Sequence, residues 1–200
     1  MAGPVLAFIA VAAYAALHSL LASRWAKARA RALLGGAAER VYRLIFNVIG
    51  AITFLPVLAV LALEPGRRLY AVPWPWSILF VAGQAVAAAC VAVGIWQTDA
   101  LHFLGLRQLM PSDRETPSLV TTGLYRYVRH PLYTAGMAFL WLTPLMTTTL
   151  LAVDLALTAY FYLGTFHEEA RLRAEFGEAY AEYQRRVPRL IPRLLRPAAD

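Results

Sequence analysis

A predominantly apolar run of 35 residues, from Leu132 to Phe166, constrains this chain more than any other feature, because polar blocks close it at both ends. One straight helix of that length would extend roughly 52 Å, against a bilayer hydrocarbon core of about 30 Å. The run is too long for one crossing and suits two, folded between Pro144 and Thr149 into a hairpin. Folding returns the block GLYRYVRHPLY (Gly123 to Tyr133) and the block that begins HEEARL (His167 to Leu172) to the same side. They would then stand about one helix-packing distance, 8–10 Å, apart. That juxtaposition is the candidate site.

Composition sets the environment. The chain is 60% hydrophobic and 16% charged, with a mean hydropathy of +0.53, which excludes an ordinary soluble domain and points to one integral membrane domain over residues 1–200. A formal charge of +7 raises the question of nucleic acid. No nucleic-acid motif accompanies it, and in a membrane chain basic residues set orientation and meet anionic headgroups. Cys90 is the one cysteine, so neither a disulfide nor a cysteine-based metal site can be built. The N-terminus lacks the basic region of a signal peptide, and its first apolar stretch reads as a membrane helix with the N-terminus outside.

Three spans are expected before the organising run, at Pro4–Leu21, Leu44–Leu63 and Ser77–Trp96. His18 near the inner end of the first suits an interfacial cap or a functional group. Asn47 and Pro56 in the second read as packing devices. The third carries Ala82, Gly83, Ala85 and Ala87–Ala89, small residues that permit close helix approach, with Gln84 as its polar interior residue. Between spans lie a basic loop at 23–43, broken by Gly35-Gly36, and a connection at 64–75 rich in Pro and Trp. A long polar stretch at 97–122 holds Asp99, His102, Arg107, Gln108, Asp113, Arg114 and Glu115, a length that commonly covers a site.

Charge asymmetry supports five spans. With the N-terminus outside, all 19 basic residues except Arg67 and Arg68 fall on the inner side. The tail from Glu168 to Arg186 has the period of one amphipathic helix, with Leu172, Phe176, Ala179, Tyr180, Tyr183 and Val187 on one face and Pro188 ending it. It would lie on the inner leaflet or cover the site. The expected fold is therefore all-α and membrane-integral, with about five transmembrane helices, the last two a hairpin, and a C-terminal amphipathic cytoplasmic helix. Residues 1–122 hold three spans and a loop, and 123–194 the site region.

The chain has no glycine-rich phosphate loop, zinc-type His/Cys cluster or GxSxG elbow. What gathers near the inner interface is Tyr125, Arg129, His130, Tyr133, His167, Glu168 and Glu169. Acids and bases beside aromatic rings suit a zwitterionic cofactor with an aromatic part: an acid for an ammonium, a donor for a carboxylate, an apolar slot for a base. Tyrosine faces also attract a sulfonium. Each residue has a plainer role too. Pro131 is a common first residue of a helix, Arg126 and Arg129 set orientation, and Glu168 and Glu169 complement a helix dipole.

The blocks GLYRYVRHPLY, HEEARL and FGEAYAEYQRRVPRLIP, between Gly123 and Pro192, closely resemble the C-terminal signature of the isoprenylcysteine carboxyl methyltransferase and phospholipid methyltransferase superfamily. HFLGLRQL (His102 to Leu109) and WLTPLMT (Trp141 to Thr147) look like its bacterial methanethiol S-methyltransferase branch. The resemblance implies S-adenosylmethionine bound at the inner membrane face and a lipid-accessible opening for an apolar acceptor; methyl displacement at a sulfonium requires no metal. It places Arg129, His130, Pro131 and Tyr133 along the cofactor and Glu168 or Glu169 on its amino-acid part. Tyr125, Tyr180, Tyr183 and Arg189 are further members.

The expected function is a membrane methyltransferase of the bacterial inner membrane with its C-terminus cytoplasmic. Its acceptor would be a small or lipophilic thiol, or a carboxylate or amine presented from the bilayer. Arg107 or Arg129 would favour a thiolate, and Arg129, Glu168 and Arg107 are the residues expected to carry catalysis. The competing readings are an NADPH-dependent sterol-type reductase and a non-enzymatic membrane scaffold.

Overall fold

Apolar stretches punctuated by Gly, Pro and polar caps become helices in a computed structural model that describes residues 2–109 and 118–192. Asp113, Arg114, Glu115, Arg193, Leu194 and Arg196 lie outside the described residues. In chain order the helices are α1 (Ala2–Ala22), α2 (Arg24–Leu34), α3 (Gly36–Leu63), α4 (Ser77–Gln97), α5 (Ala100–Leu104), α6 (Pro131–Trp141), α7 (Thr148–Phe176) and α8 (Glu178–Arg186). Two short strands, β1 (Arg68–Ala71) and β2 (Leu145–Thr147), form a two-stranded sheet.

Among the described residues, four helical segments are long and apolar enough to cross a membrane: Ala2–Ala22, Arg40–Leu63, Ser77–Gln97 and Thr148–Phe176. The expected fifth is not found at that length among the described residues. Pro131 starts α6 and its last turn closes at Leu142, just before Pro144, leaving 11 residues. That helix is about 16 Å long, half the hydrocarbon thickness. The hairpin therefore has unequal arms, 11 residues against the 29 of α7.

The contacts divide the chain into two units. The described parts of the first are 2–69, 99–109 and 146–156. Ala7, Val11, Val57, Met146 and Val153 are buried there. Gly3 permits close approach, since a Cβ on it would stand 2.6 Å from the Glu64 carbonyl oxygen. That carbonyl accepts from Thr149 Oγ1 at 2.6 Å. Asn47 Nδ2 donates to the Phe103 carbonyl at 3.0 Å, the cross-helix bond expected of it, and Arg43 Nε donates to the same oxygen at 3.2 Å.

The described parts of the second unit are 70–98, 118–145 and 157–192. Its organising contact is α4 on α6, where small residues meet large ones. A Cβ on Gly83 would lie 2.8 Å from Leu142 Cδ1, and one on Gly94 would lie 2.8 Å from Leu132 Cδ2. Gln84 Nε2 donates to the Phe139 carbonyl at 3.0 Å and to Thr143 Oγ1 at 3.2 Å, tying down the end of α6. α6 returns against α7, with Trp141 Nε1 donating to Thr158 Oγ1 at 2.9 Å and Tyr133 packed on Phe161 with ring centroids 5.6 Å apart.

The C-terminal region corrects a further expectation. Glu168 to Arg186 is not one amphipathic helix: α7 continues through the two glutamates to Phe176, and Gly177, at φ +57°, breaks the chain before α8. A positive φ favours glycine because it has no Cβ to clash. After the break α8 folds back, so that Tyr180, Tyr183 and Val187 bury against Leu172, Phe176 and Leu119. Of the two roles expected for this face, lying on the inner leaflet or covering the site, its packing on protein agrees with the second.

Candidate active site

The site lies within the second unit, where the loop before α6, the last turns of α7 and the segment through α8 to Leu190 converge. Its first support is Gln97 at the end of α4. Gln97 Oε1 accepts from the Leu124 backbone N–H at 3.0 Å and fills the space beside Gly123, whose φ is +61°. A side chain at 123 would collide with it. This fixes the 3-10 turn Gly123–Arg126 and hence Tyr125.

Arg129 and His130 are held from the other side by backbone pairing. The Arg129 N–H donates to the Pro188 carbonyl at 2.9 Å, and the His130 N–H to the Arg189 carbonyl at 3.2 Å. Thr134 Oγ1 adds a bond to the Leu190 carbonyl at 2.8 Å. Pro131 then opens α6 at a position where no intrahelical N–H is needed.

Successive residues on a helix differ by about 100° in direction, so Glu168 and Glu169 face different surroundings. Glu169 turns inward. Its Oε1 accepts from Arg129 Nε at 2.9 Å and from Arg189 Nε at 3.2 Å, lies 2.7 Å from Arg129 Nη2, and faces His130 Nε2 at 3.2 Å. Its Oε2 accepts from Arg189 Nη2 at 2.8 Å and from Gln184 Nε2 at 3.0 Å. The Glu169 side chain is 7% exposed, and that of Arg129 9%. Arg129 Nη1 also donates to the carbonyls of Gln184, at 3.1 Å, and Val187. The Arg129–Glu169 pair thus ties together the α6 entry, α7 and the end of α8.

Glu168 is the open member. Its side chain is 35% exposed, with Oε2 facing His130 Nδ1 at 3.4 Å and the Tyr133 hydroxyl beside the carboxylate. Arg171 Nη2 stands 3.9 Å from Oε1. His130 is therefore sandwiched, one ring nitrogen toward each glutamate. Around them, Tyr183 donates to the Tyr125 carbonyl at 2.5 Å, and the Tyr125 hydroxyl lies beside the Thr98 side chain. Burial, reinforced by the negative charge of Glu168, pushes the Tyr125 phenol up to about 12. Burial, reinforced by Glu169, pushes Tyr180 up to about 12 as well. Both phenols stay neutral at physiological pH. The Arg189 guanidinium lies over the Phe166 ring, 4.0 Å from its centroid.

The structure brings together Tyr125, Arg129, His130, Pro131, Tyr133, Glu168, Glu169 and Tyr180. Arg107 belongs to the other unit, where it pairs with Asp99. Gln184 escaped the sequence reading, although it follows buried Tyr180 by one turn on the inward face of α8, a place where a polar residue calls for a partner.

A cofactor with an ammonium and a sulfonium needs an acid that retains an open side, with aromatic rings nearby. Glu168, with Tyr125 and Tyr133 beside it, fits that need. Glu169, surrounded by cationic and amide donors, has its acceptor capacity occupied.

Comparison with known proteins gives a consistent picture. Residues 82–179 match the phospholipid methyltransferase family. The chain is 44% identical over 100 residues to methanethiol S-methyltransferase 2 of Bradyrhizobium diazoefficiens, covering 48% of this chain and 39% of that protein. It is 28% identical over 190 residues to a methanethiol S-methyltransferase of a Pseudomonas species, covering 92% of this chain and 72% of that one. Human protein-S-isoprenylcysteine O-methyltransferase is 37% identical over 112 residues, covering 54% and 38%. The chain thus spans well under two thirds of the first of these relatives. No solved structure matches it.

Proposed function

We propose that this chain, whose residues 82–179 match the phospholipid methyltransferase family, is a membrane methyltransferase that draws its methyl group from S-adenosylmethionine. The observation that carries the reading is the division of the Glu168-Glu169 pair: one carboxylate buried among its partners, the other partly exposed beside His130 and Tyr133.

When bound, the cofactor supplies an electrophilic methyl on a sulfonium. Glu168 takes the ammonium of its amino-acid part, and Tyr125, Pro131 and Tyr133 form the aromatic and apolar wall. Arg129, His130 and Glu169 act behind this surface by holding the α6 entry and the C-terminal segment in place. Tyr180 closes the rear of the cluster. Because methyl displacement disperses charge in the transition state, alignment in a site screened from water is the main catalytic contribution required of the protein.

The acceptor we favour is a small thiol, in line with the long match to the Pseudomonas methanethiol S-methyltransferase. A thiol has to lose its proton to attack, and an arginine beside the acceptor would favour the thiolate. The alternative acceptor is a prenylated cysteine carboxylate, which needs an arginine to orient it and no base. We place the N-terminus outside and the C-terminus in the cytoplasm of a bacterial inner membrane, with the site at the cytoplasmic face.

Calorimetric titration of the detergent-purified protein with S-adenosylhomocysteine, with NADPH in parallel, tests the cofactor. The expected result is saturable binding of S-adenosylhomocysteine alone, lost in Glu168→Ala. Binding of NADPH alone would make the protein a reductase, and binding of neither by folded protein would favour the scaffold reading.

A further inference from the structure

A basic helix with no buried residue sits between two membrane-length helices. α2 (Arg24–Leu34) begins where Ser23 Oγ accepts from the Ala26 N–H at 3.2 Å and ends at Gly35, whose φ is +56°. It follows α1 directly, and the span Arg40–Leu63 starts a few residues after it. The Tyr42 hydroxyl donates to the Leu21 carbonyl at 2.6 Å and so closes the ends of these two helices on each other. With α1 and Arg40–Leu63 as membrane spans, covalent continuity on both sides keeps α2 near the membrane surface.

Its three faces differ in chemistry. Ala26 and Ala30, one turn apart, are its half-buried residues. Arg24, Lys27 and Arg31, spaced i, i+3, i+7, make one exposed stripe. Trp25, Arg29 and Leu33, spaced i, i+4, i+8, make another, with Trp25 60% and Leu33 83% exposed and the Arg29 guanidinium 5.6 Å from the Trp25 ring centroid. At about 100° per residue these two stripes lie on nearly opposite sides of the helix. The helix contains no acidic residue.

We propose that α2 is a docking surface for anionic phospholipid headgroups. Trp25 and Leu33 enter the acyl boundary, and the Arg24–Lys27–Arg31 stripe engages phosphates of the same leaflet. A short helix with a bulky apolar edge and a cationic edge is the kind that lies in the interface plane and senses lipid charge. The surface lies outside the proposed methyl-transfer site and does not depend on that reading.

Lipid retention tests it. The full chain, reconstituted in vesicles of phosphatidylcholine and phosphatidylglycerol, is extracted in mild detergent and the co-purified lipid quantified by mass spectrometry. The wild type is expected to retain phosphatidylglycerol above its share of the vesicle. Each neutralisation in the series Arg24→Gln, Lys27→Gln, Arg31→Gln should lower that preference about 5-fold, the ratio equivalent to about 1 kcal/mol per basic residue near an anionic leaflet. The enrichment should also shrink as salt is raised. An unchanged thermal midpoint and unchanged S-adenosylhomocysteine titration in the variants establish that they are folded. Equal phosphatidylglycerol preference in the wild type and the folded triple variant would overturn the proposal, as would no preference in the wild type.

Discussion

Arg129 and Glu169 meet at 2.7 Å although 40 residues separate them in the chain. Their pairing closes the α6–α7 hairpin at its polar end, and Gln184, Val187 and Arg189 are fastened to the same two side chains. The C-terminal segment is therefore part of the site's framework. Removing one partner of a buried pair leaves an uncompensated charge, at a cost of about 3–5 kcal/mol. Glu169→Ala is expected to lower the thermal midpoint in detergent markedly, whereas Glu168→Ala should leave it nearly unchanged. Equal midpoints for the two variants would contradict the division of roles.

Gln184 provides a finer test. Its side chain reaches Glu169 while its backbone carbonyl, which Arg129 uses, survives substitution. Gln184→Ala should therefore cost about 1.5–3 kcal/mol, the value of a hydrogen bond to a charged group, measured by chemical or thermal unfolding. A loss as large as that of Glu169→Ala would mean that the side chain of Gln184 has a wider role.

The close approach of α4 to α6 depends on Gly94. A Cβ there meets Leu132 at 2.8 Å. Gly94→Val should destabilise by about 1–3 kcal/mol through overpacking, and pairing it with Leu132→Ala should recover part of the loss. Failure of the second substitution to recover any stability would place the strain elsewhere.

Asp154 is fully buried on α7, and among the described residues neither carboxylate oxygen has a hydrogen-bond partner. Burying a polar group without a partner costs stability, and replacing it with an apolar residue of similar shape is neutral or favourable. Asp154→Leu is expected to hold or raise the thermal midpoint while S-adenosylhomocysteine binding persists. A large fall in the midpoint would show that the carboxyl has a partner that matters.

The Asp99 carboxyl is held below the usual carboxylate range, first by the His102 backbone N–H and further by the guanidinium of Arg107 and the Leu101 N–H. Its folded-state pKa lies below the unfolded one, so its contribution is present above the unfolded value and fades as pH falls through the folded value. The wild type should exceed Asp99→Asn in thermal midpoint near neutrality, and the gap should close progressively below about pH 4. A gap independent of pH would assign the effect to packing.

The polar blocks flanking the 132–166 run carried most of what the sequence could say about the site. A hairpin forces Arg129 and His130 against Glu168 and Glu169, and the structure has them in contact. The short arm was hidden because apolar composition continues past Trp141 and only Pro144 hints at an end. The break at Gly177 was hidden for a related reason: the helical period of Leu172, Phe176, Tyr180 and Tyr183 runs across it without a slip. Which glutamate is satisfied and which is open depends on where residues 184–190 return, a long-range fact that spacing does not encode. Arg107 sits in a segment whose sequence offers several acidic residues without saying which it meets, and the structure pairs it with Asp99.

Transfer of an isotopically labelled methyl group from S-adenosylmethionine to a small thiol by the reconstituted protein tests the central claim most directly. The account predicts labelled thioether in the presence of the wild type, and none with Glu168→Ala at an unchanged thermal midpoint. Folded wild-type protein that binds S-adenosylhomocysteine yet labels neither a thiol nor a prenylcysteine carboxylate would contradict the acceptor assignment. Full transfer by Glu168→Ala would contradict the site.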